Sequence, residues 1–274
     1  MHPVRDPARA GGRVRGVSRA RVLLKPEWWK DYFDARYLLE YEPLFDLVRD
    51  RQDVARMVDV LELPVGARIL DCPCGQGRHA HLLAEAGYDV DAVDYSPVLL
   101  KRAKARGTAP TLRYTRADMR TLPAWWSGRF DAVLNVFTSF GFFDDPNDDA
   151  RVVREFSRVL KRGGVLLWHG ASRDGVAARF LARDWWRTSD GTLVAQERSF
   201  DALSGTLTVR SEWEGRAARA RGHRTHRIRL YTATRLAELC RDAGLIVEQA
   251  HDGWTARPLR RTSSEMLLIA RKEK

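Results

Sequence analysis

The sequence predicts an α/β domain organised around a parallel sheet. The first observation is the stretch 67–96, ARILDCPCGQGRHAHLLAEAGYDVDAVDYS, which reads as strand, tight loop, helix and strand. The second is that strand and helix patterns keep alternating from there to residue 169. The third is 129–136, RFDAVLNV, an apolar strand of the kind that sits at the centre of a parallel sheet, covered on both faces. A chain of 274 residues suits one large domain, or one domain with an insertion.

Residues 1–25 hold seven basic side chains against Asp6, so this segment carries +6 of the net +11. Such a tail reads as a disordered, solvated extension. Holding a nucleic acid by its phosphates is the other use for it, although it has no aromatic residue on which a base could stack. From Pro26 the composition changes: Trp28, Trp29, Tyr32, Phe33, Tyr37 and Tyr41 recur at mainly helical spacing and predict an N-terminal helix packed on the sheet. A second helix is expected over 51–61. Ile69 and Leu70 then lead the first strand to Asp71. Leu82, Leu83 and Ala86 mark the next helix, with Gly87 as its stop, and 88–93 alternates up to Asp94. Ser96 and Pro97 are N-cap and first residue of a helix that runs to Arg106. Thr111–Thr115 is the third strand, and the fourth leads into an aromatic loop, Phe137–Phe143. Asp144–Asn147 begin a helix whose dipole Asp148 and Asp149 favour, and Lys161–Gly164 is its expected stop. Val165–His169 is the fifth strand.

Residues 185–231 break this rhythm. Three antiparallel strands are expected, over 192–200, 206–213 and 223–231, with a turn at Asp201–Gly205. Arg216, Arg219, Arg221, Arg224, Arg227 and Arg229 cluster here with His223 and His226. They suit a phosphate or carboxylate, an RNA, or a solvated hairpin tip, with Glu197 and Glu212 as candidate partners. A helix over 232–245, capped by Thr232 and carrying Cys240 on its apolar stripe, precedes two closing strands at 246–250 and 264–270.

No apolar run approaches the ~20 residues that span a bilayer. The N-terminus lacks the apolar core of a secretory signal, and three cysteines make no disulfide framework. These traits lead to the expectation of a cytoplasmic protein. Cys72 and Cys74 with His79 and His81 fit no usual zinc spacing, so no metal is expected. The loop itself carries the chemistry. Gly75 and Gly77 let a ligand lie directly on the backbone, and a turn opening a helix offers N–H groups. Asp94 stands 23 residues beyond Asp71 at the tip of the next strand, where a carboxylate suits a ribose diol.

On these residues the segment resembles the cofactor site of class I S-adenosylmethionine (SAM)-dependent methyltransferases. Their first motif reads acidic-x-Gly-x-Gly-x-Gly; here it is Asp71-Cys72-Pro73-Cys74-Gly75-Gln76-Gly77, with Pro73 where the first glycine is usual. The Gly-x-Gly-x-x-Gly of dinucleotide-binding dehydrogenases is absent. The resemblance implies a Rossmann-like seven-stranded sheet, order 3-2-1-4-5-7-6, the last strand antiparallel, with helices on both faces. It implies a SAM-binding domain over 26–184 and 232–274 with an N-terminal lid helix. The insertion over 185–231 would cover the acceptor, as in sugar N,N-dimethyltransferases.

The resemblance places Asp71, Cys72, Gly75, Gly77, Asp94, Tyr95, Asp118, Met119, Asn135 and Phe137 on the cofactor. In it Asp94 holds the ribose, Asp118 the adenine amino group, and Tyr32 and Tyr37 of the lid approach the reactive methyl. Phe140, Phe142 and Phe143 would line the acceptor pocket. His169, at the end of the fifth strand, is the candidate general base. The implied activity is methyl transfer to nitrogen or oxygen of a small molecule, which can be anionic. An RNA methyltransferase and a SAM-binding sensor without catalysis are the alternatives.

Overall fold

The computed structural model describes residues 24–215 and 221–274. The basic tail up to residue 23, with Arg216 and Arg219, lies outside the described residues. Three helices come first: α1 (Trp29–Tyr32), α2 (Ala35–Glu40) and α3 (Leu47–Leu61). The α/β part follows as β1 (Arg68–Asp71), α4 (Arg78–Glu85), β2 (Asp89–Asp94), α5 (Pro97–Lys104), β3 (Leu112–Arg116), β4 (Phe130–Asn135), α6 (Pro146–Val159) and β5 (Leu160–Ala171). Then come α7 (Arg173–Ala178), four strands β6 (Arg183–Arg187), β7 (Leu193–Asp201), β8 (Thr206–Glu214) and β9 (Arg221–Arg229), and finally α8 (Ala233–Asp242), β10 (Leu245–Asp252) and β11 (Glu265–Lys272).

The main sheet runs β3-β2-β1-β4-β5-β11-β10. Its first five strands are parallel, and β11 pairs antiparallel with both β5 and β10. This is the Rossmann-like order expected from the resemblance. Successive residues of a strand point to opposite faces. Leu70, Val133, Leu166 and Leu268 therefore pack under α6 and α8 with Phe156 and Leu239, while Ile69, Leu134, Leu167 and Ile269 pack under α3 and α4 with Met57 and Leu83. Each fully buried side chain of this size contributes about 2–3 kcal/mol. The parallel strands end together, so the residues that follow β1, β2, β3 and β4 converge on one edge.

Three expectations are corrected. The N-terminal helix is broken in two: the Asp34 carboxylate accepts from Tyr37 N–H at 2.8 Å and starts α2 afresh after Phe33. The insertion has four strands rather than three, because Arg183–Arg187 adds antiparallel to β7 as an edge strand. Helix α6 stops at Val159, and the Lys161–Gly164 turn belongs to the start of β5, bent at Gly163 with φ +74°.

The small sheet is fastened to the N-terminal segment. Tyr32 Oη and His226 Nδ1 share a buried hydrogen bond of 2.8 Å. Arg224 donates to Glu40 Oε2 at 2.7 Å, Asp34 Oδ1 at 3.1 Å and Tyr32 C=O at 3.0 Å, while its guanidinium lies 4.2 Å from the Tyr32 ring. Trp186 Nε1–H donates to Glu40 C=O at 2.8 Å. On the other flank Arg229 and Tyr231 both reach the buried Asp149 of α6. Burial pushes the Asp149 carboxyl up to about 6, against the hydrogen bond from Tyr231 and the charge of Arg229. Asp149 is thus a buried partner and not only a dipole partner of α6. Arg227 pairs with Asp144 and Arg221 with Glu214, so all four described arginines of the 216–229 cluster are held by carboxylates. Glu197 and Glu212 pair with Arg183 and Arg210 instead.

Candidate active site

The loop after β1 is shaped by what surrounds it. Cys72 N–H donates to Leu134 C=O at 3.0 Å and Cys74 N–H to Val93 C=O at 2.7 Å, which pins the loop between the strands on either side. Gly77 caps α4 at φ +73°, and a Cβ there would stand 2.6 Å from Tyr114 Oη and 2.8 Å from Ala103 Cβ. Only glycine allows this approach. Gly75, at φ +56°, has open space where a Cβ would be. Its N–H is not free for a ligand, however: it donates to Asp94 Oδ2 at 2.9 Å, while Ser96 N–H donates to Asp94 Oδ1 at 2.8 Å. The loop therefore presents bare backbone and orients a carboxylate.

A cavity of about 970 Å³, including its open mouth, lies over this loop. Nine of the predicted residues line it: Tyr37, Asp71, Cys72, Gly75, Asp94, Tyr95, Asp118, Met119 and Phe137. Burial pushes the Asp71 carboxyl up to about 7, with Asp94 adding to the rise and Arg78 opposing it. Neither Asp71 oxygen has a well-formed hydrogen-bond partner among the described residues. Burial likewise raises Asp94 to about 6, although the backbone N–H groups of Ser96 and Gly75 favour its charged form. Asp118 is clamped by Arg120, whose guanidinium also reaches Asp148 at 2.7 Å and Glu27 at 2.9 Å.

Four predicted residues are not on the cavity wall. Tyr32 turns its hydroxyl away to His226, 194 positions along the chain. Asn135 is fully buried and donates to Cys72 C=O at 2.9 Å, tying β4 to the loop. Gly77 caps α4 against Tyr114 and Ala103, and His169 stacks on Trp254 with ring centroids 4.3 Å apart. Phe142 and Phe143 line the cavity, but Phe140 belongs to the core, beside Trp168 and Tyr231.

The wall also contains residues not expected to line the site: Trp29 and Phe33, read as packing aromatics, His79, weighed only as a metal ligand, and Phe45 and Arg78. Arg78 follows Gly77 at the first position of α4, which was a usable signal; Phe45 carried none. The guanidinium of Arg78 pairs with the buried Asp50, lies 3.8 Å from Asp53 Oδ2 and stacks 4.4 Å from the Phe137 ring. Asp50, Asp53 and His79 have the make-up of metal ligands. Arg78 already supplies the positive charge to this group. His79 Nε2 stands 3.5 Å from Asp53, and burial lowers its pKa, so it is neutral.

Residues 69–164, which hold the loop, Asp94, Asp118 and the aromatic loop, match the family model described as a methyltransferase domain. The chain carries a SAM-dependent methyltransferase domain. Among the relatives of this methyltransferase is the "Putative methyltransferase YqeM" of Bacillus subtilis, 26% identical over 224 residues, covering 77% of this chain and 87% of the relative. A SAM-dependent methyltransferase structure from Clostridium acetobutylicum superposes with a TM-score of 0.72 at 16% identity, covering 87% of this chain and 97% of the other. SAM-bound CalS10, an amino pentose methyltransferase from Micromonospora echinaspora, gives 0.68 at 21% identity, covering 88% and 98%. At these identities the two structures speak for the fold.

The donor set of this methyltransferase fits SAM. The Asp71 carboxylate, whose oxygens have no well-formed partner and only the Ala80 N–H nearby, could receive an ammonium group, and Asp94 keeps lone pairs for two hydroxyls. Two buried carboxylates that form no salt bridge among the described residues favour a cationic ligand. Among the described residues no helix is long and apolar enough to cross a membrane.

Proposed function

We propose that this methyltransferase acts on the amine nitrogen of a small molecule with an apolar body. The observation that carries the reading is the aromatic part of the cavity wall. There Phe142, Phe33, Tyr37, Phe45 and Phe137 form an arc of rings with successive centroids 5.3, 5.1, 6.3 and 6.4 Å apart. Burial holds the Tyr37 hydroxyl well above its usual range, so it stays protonated. His79 is turned to Asp53. The arc thus has no group poised to take a proton from a hydroxyl nucleophile. A neutral amine attacks through its lone pair and sheds its proton afterwards.

On this reading Asp94 holds the ribose hydroxyls, Asp118 the adenine amino group and Asp71 the methionine ammonium. Tyr95 and Met119 flank the adenine, Gly75 passes beneath the ligand, and Phe137 and Tyr37 face the methyl. Bound SAM supplies a methyl group already activated on sulfonium. The chain's share is to align the acceptor and exclude water, and the aromatic arc serves both. Rings also attract the positive charge carried by sulfonium before transfer and by the amine after it. That CalS10 is an amino pentose methyltransferase agrees with an amine acceptor.

The test is incubation with methyl-labelled SAM and two matched panels, one of amines and one of alcohols and phenols on the same apolar bodies. Label is expected in amines. Label confined to hydroxyl compounds, or to RNA, would overturn the reading.

The raised carboxyls add a pH dependence. Their folded pKa values, about 7 for Asp71 and about 6 for Asp94, exceed the ordinary 3.8. They therefore stabilise the ligand-free fold fully only below about 3.8, and this contribution is lost progressively as pH rises from there through the folded values of about 6 and 7. SAM needs the ionised forms. Its affinity should fall on going from about pH 7.5 to about pH 5.5, by up to about tenfold per unit for each carboxyl protonated. Thermal melts should show a larger SAM-induced rise in Tm at the higher pH, and an equal rise at both would remove these two groups from the site.

A further inference from the structure

The turn after β4 holds two consecutive non-glycine residues in the left-handed region, Phe137 at φ +62° and Thr138 at φ +57°. This conformation is uncommon for any side chain and an outlier for a β-branched one, so surrounding structure has to impose it. The end of β5 does so at several points. Phe137 N–H points at His169 Nδ1, 3.4 Å away, and Thr138 N–H donates to His169 C=O at 3.2 Å. Ala171 N–H donates to Thr138 Oγ1 at 3.0 Å. A Cβ on Gly170 would stand 3.1 Å from Thr138 Cα, so a side chain there would press on the turn.

His169 is itself fixed. Its ring stacks on Trp254 at an interplanar angle of 23°, and Glu265 Oε2 stands 3.4 Å from Nε2. The imidazole holds the Glu265 carboxyl below its usual range. A carboxylate on that side favours the tautomer with the proton on Nε2, which leaves the Nδ1 lone pair for Phe137 N–H. On its other side the Phe137 ring carries the Arg78 guanidinium and lines the cavity.

We propose that His169 is a positioning residue: with Trp254 and Glu265 behind it, it holds Phe137 in a strained turn that aims the ring at the methyl-bearing end of the cofactor. This rests on the reading of Phe137 as a cofactor contact. His169 touches neither the cofactor nor the acceptor. Its imidazole acts as a hydrogen-bond acceptor of fixed direction, a task that takes no proton from substrate.

A small amide can replace such an acceptor: the Asn side-chain oxygen falls near the Nδ1 position, and the longer Gln places its amide near Nε2. The dissociation constant of SAM, measured by calorimetry, is the readout. Phe137→Ala should weaken SAM at least tenfold; an unchanged constant there defeats the reading of Phe137 as a contact. With that established, His169→Leu should also weaken SAM about tenfold, and His169→Asn should stay within about threefold of the parent. The double variant Phe137→Ala/His169→Leu should be no worse than Phe137→Ala alone, since the two act through one contact. His169→Leu at parental affinity, His169→Asn as weak as His169→Leu, or additive losses in the double variant would each overturn the positioning role. Should His169→Leu fail to fold, His169→Gln takes its place: a tenfold loss supports the proposal and parental affinity overturns it.

Discussion

Asp94→Ala is expected to weaken SAM binding at least tenfold, or about 1.4 kcal/mol. The expectation follows from what holds this carboxylate. It is 7% exposed, anchored by two backbone N–H groups from different segments, and directed into the cavity. A charge-assisted hydrogen bond contributes about 1.5–3 kcal/mol. A diol would make two, so a tenfold loss is the lower bound. Asp94→Asn sharpens the test, because it keeps the shape and one acceptor while losing the charge. It should fall between parent and Asp94→Ala. Calorimetric titration with SAM decides the matter, alongside a thermal melt showing that the fold survives. An unchanged dissociation constant would mean that the cavity does not take the nucleoside in this orientation, and the proposed function would fall with it.

Glu40→Ala should cost about 3 kcal/mol or more of unfolding free energy, since it strands a buried guanidinium. Glu40 is completely buried, and Arg224 has 13% of its side chain exposed. Asp34, at 47% side-chain exposure, is too wet to compensate. Urea unfolding followed by circular dichroism gives the number. Removing both charges, as in Glu40→Leu/Arg224→Met, should recover most of it, because the loss comes from an unpaired charge and not from missing attraction. Equal losses in the single and double variants would show that packing, rather than charge, joins the N-terminal segment to the small sheet.

What could be read in advance had a local cause. Strand, loop and helix from Arg68 to Glu85 follow each other within a few residues, and their periodicity and glycines are in the local pattern. The same holds for Asp94, which closes β2, and for Asp118, two residues past β3, at the edge where parallel strands end together. Side-chain direction was not legible past a strand end. His169 and Asn135 both sit at the expected edge, yet one turns to Trp254 and the other back to Cys72 C=O. Partners far apart in the chain were also hidden. The resemblance placed Tyr32 beside Tyr37 in the lid, but its hydroxyl belongs to His226. Burial pushes that imidazole down to about 3, with Arg224 and Arg198 adding to the effect, so it stays neutral and can share the bond. Likewise the arginines of β9 looked like an anion site because Glu40, Asp144 and Asp149 lie in other segments.

The raised carboxyl of Asp71 has a calorimetric consequence. With its carboxyl at about 7, the empty protein holds about half a proton there at neutral pH. A cationic ligand takes over the neutralising task, and that half proton leaves for the solvent. The heat of complex formation then depends on which buffer collects it. Titrations in phosphate and in Tris, whose ionisation enthalpies differ widely, should give unlike apparent enthalpies but one affinity.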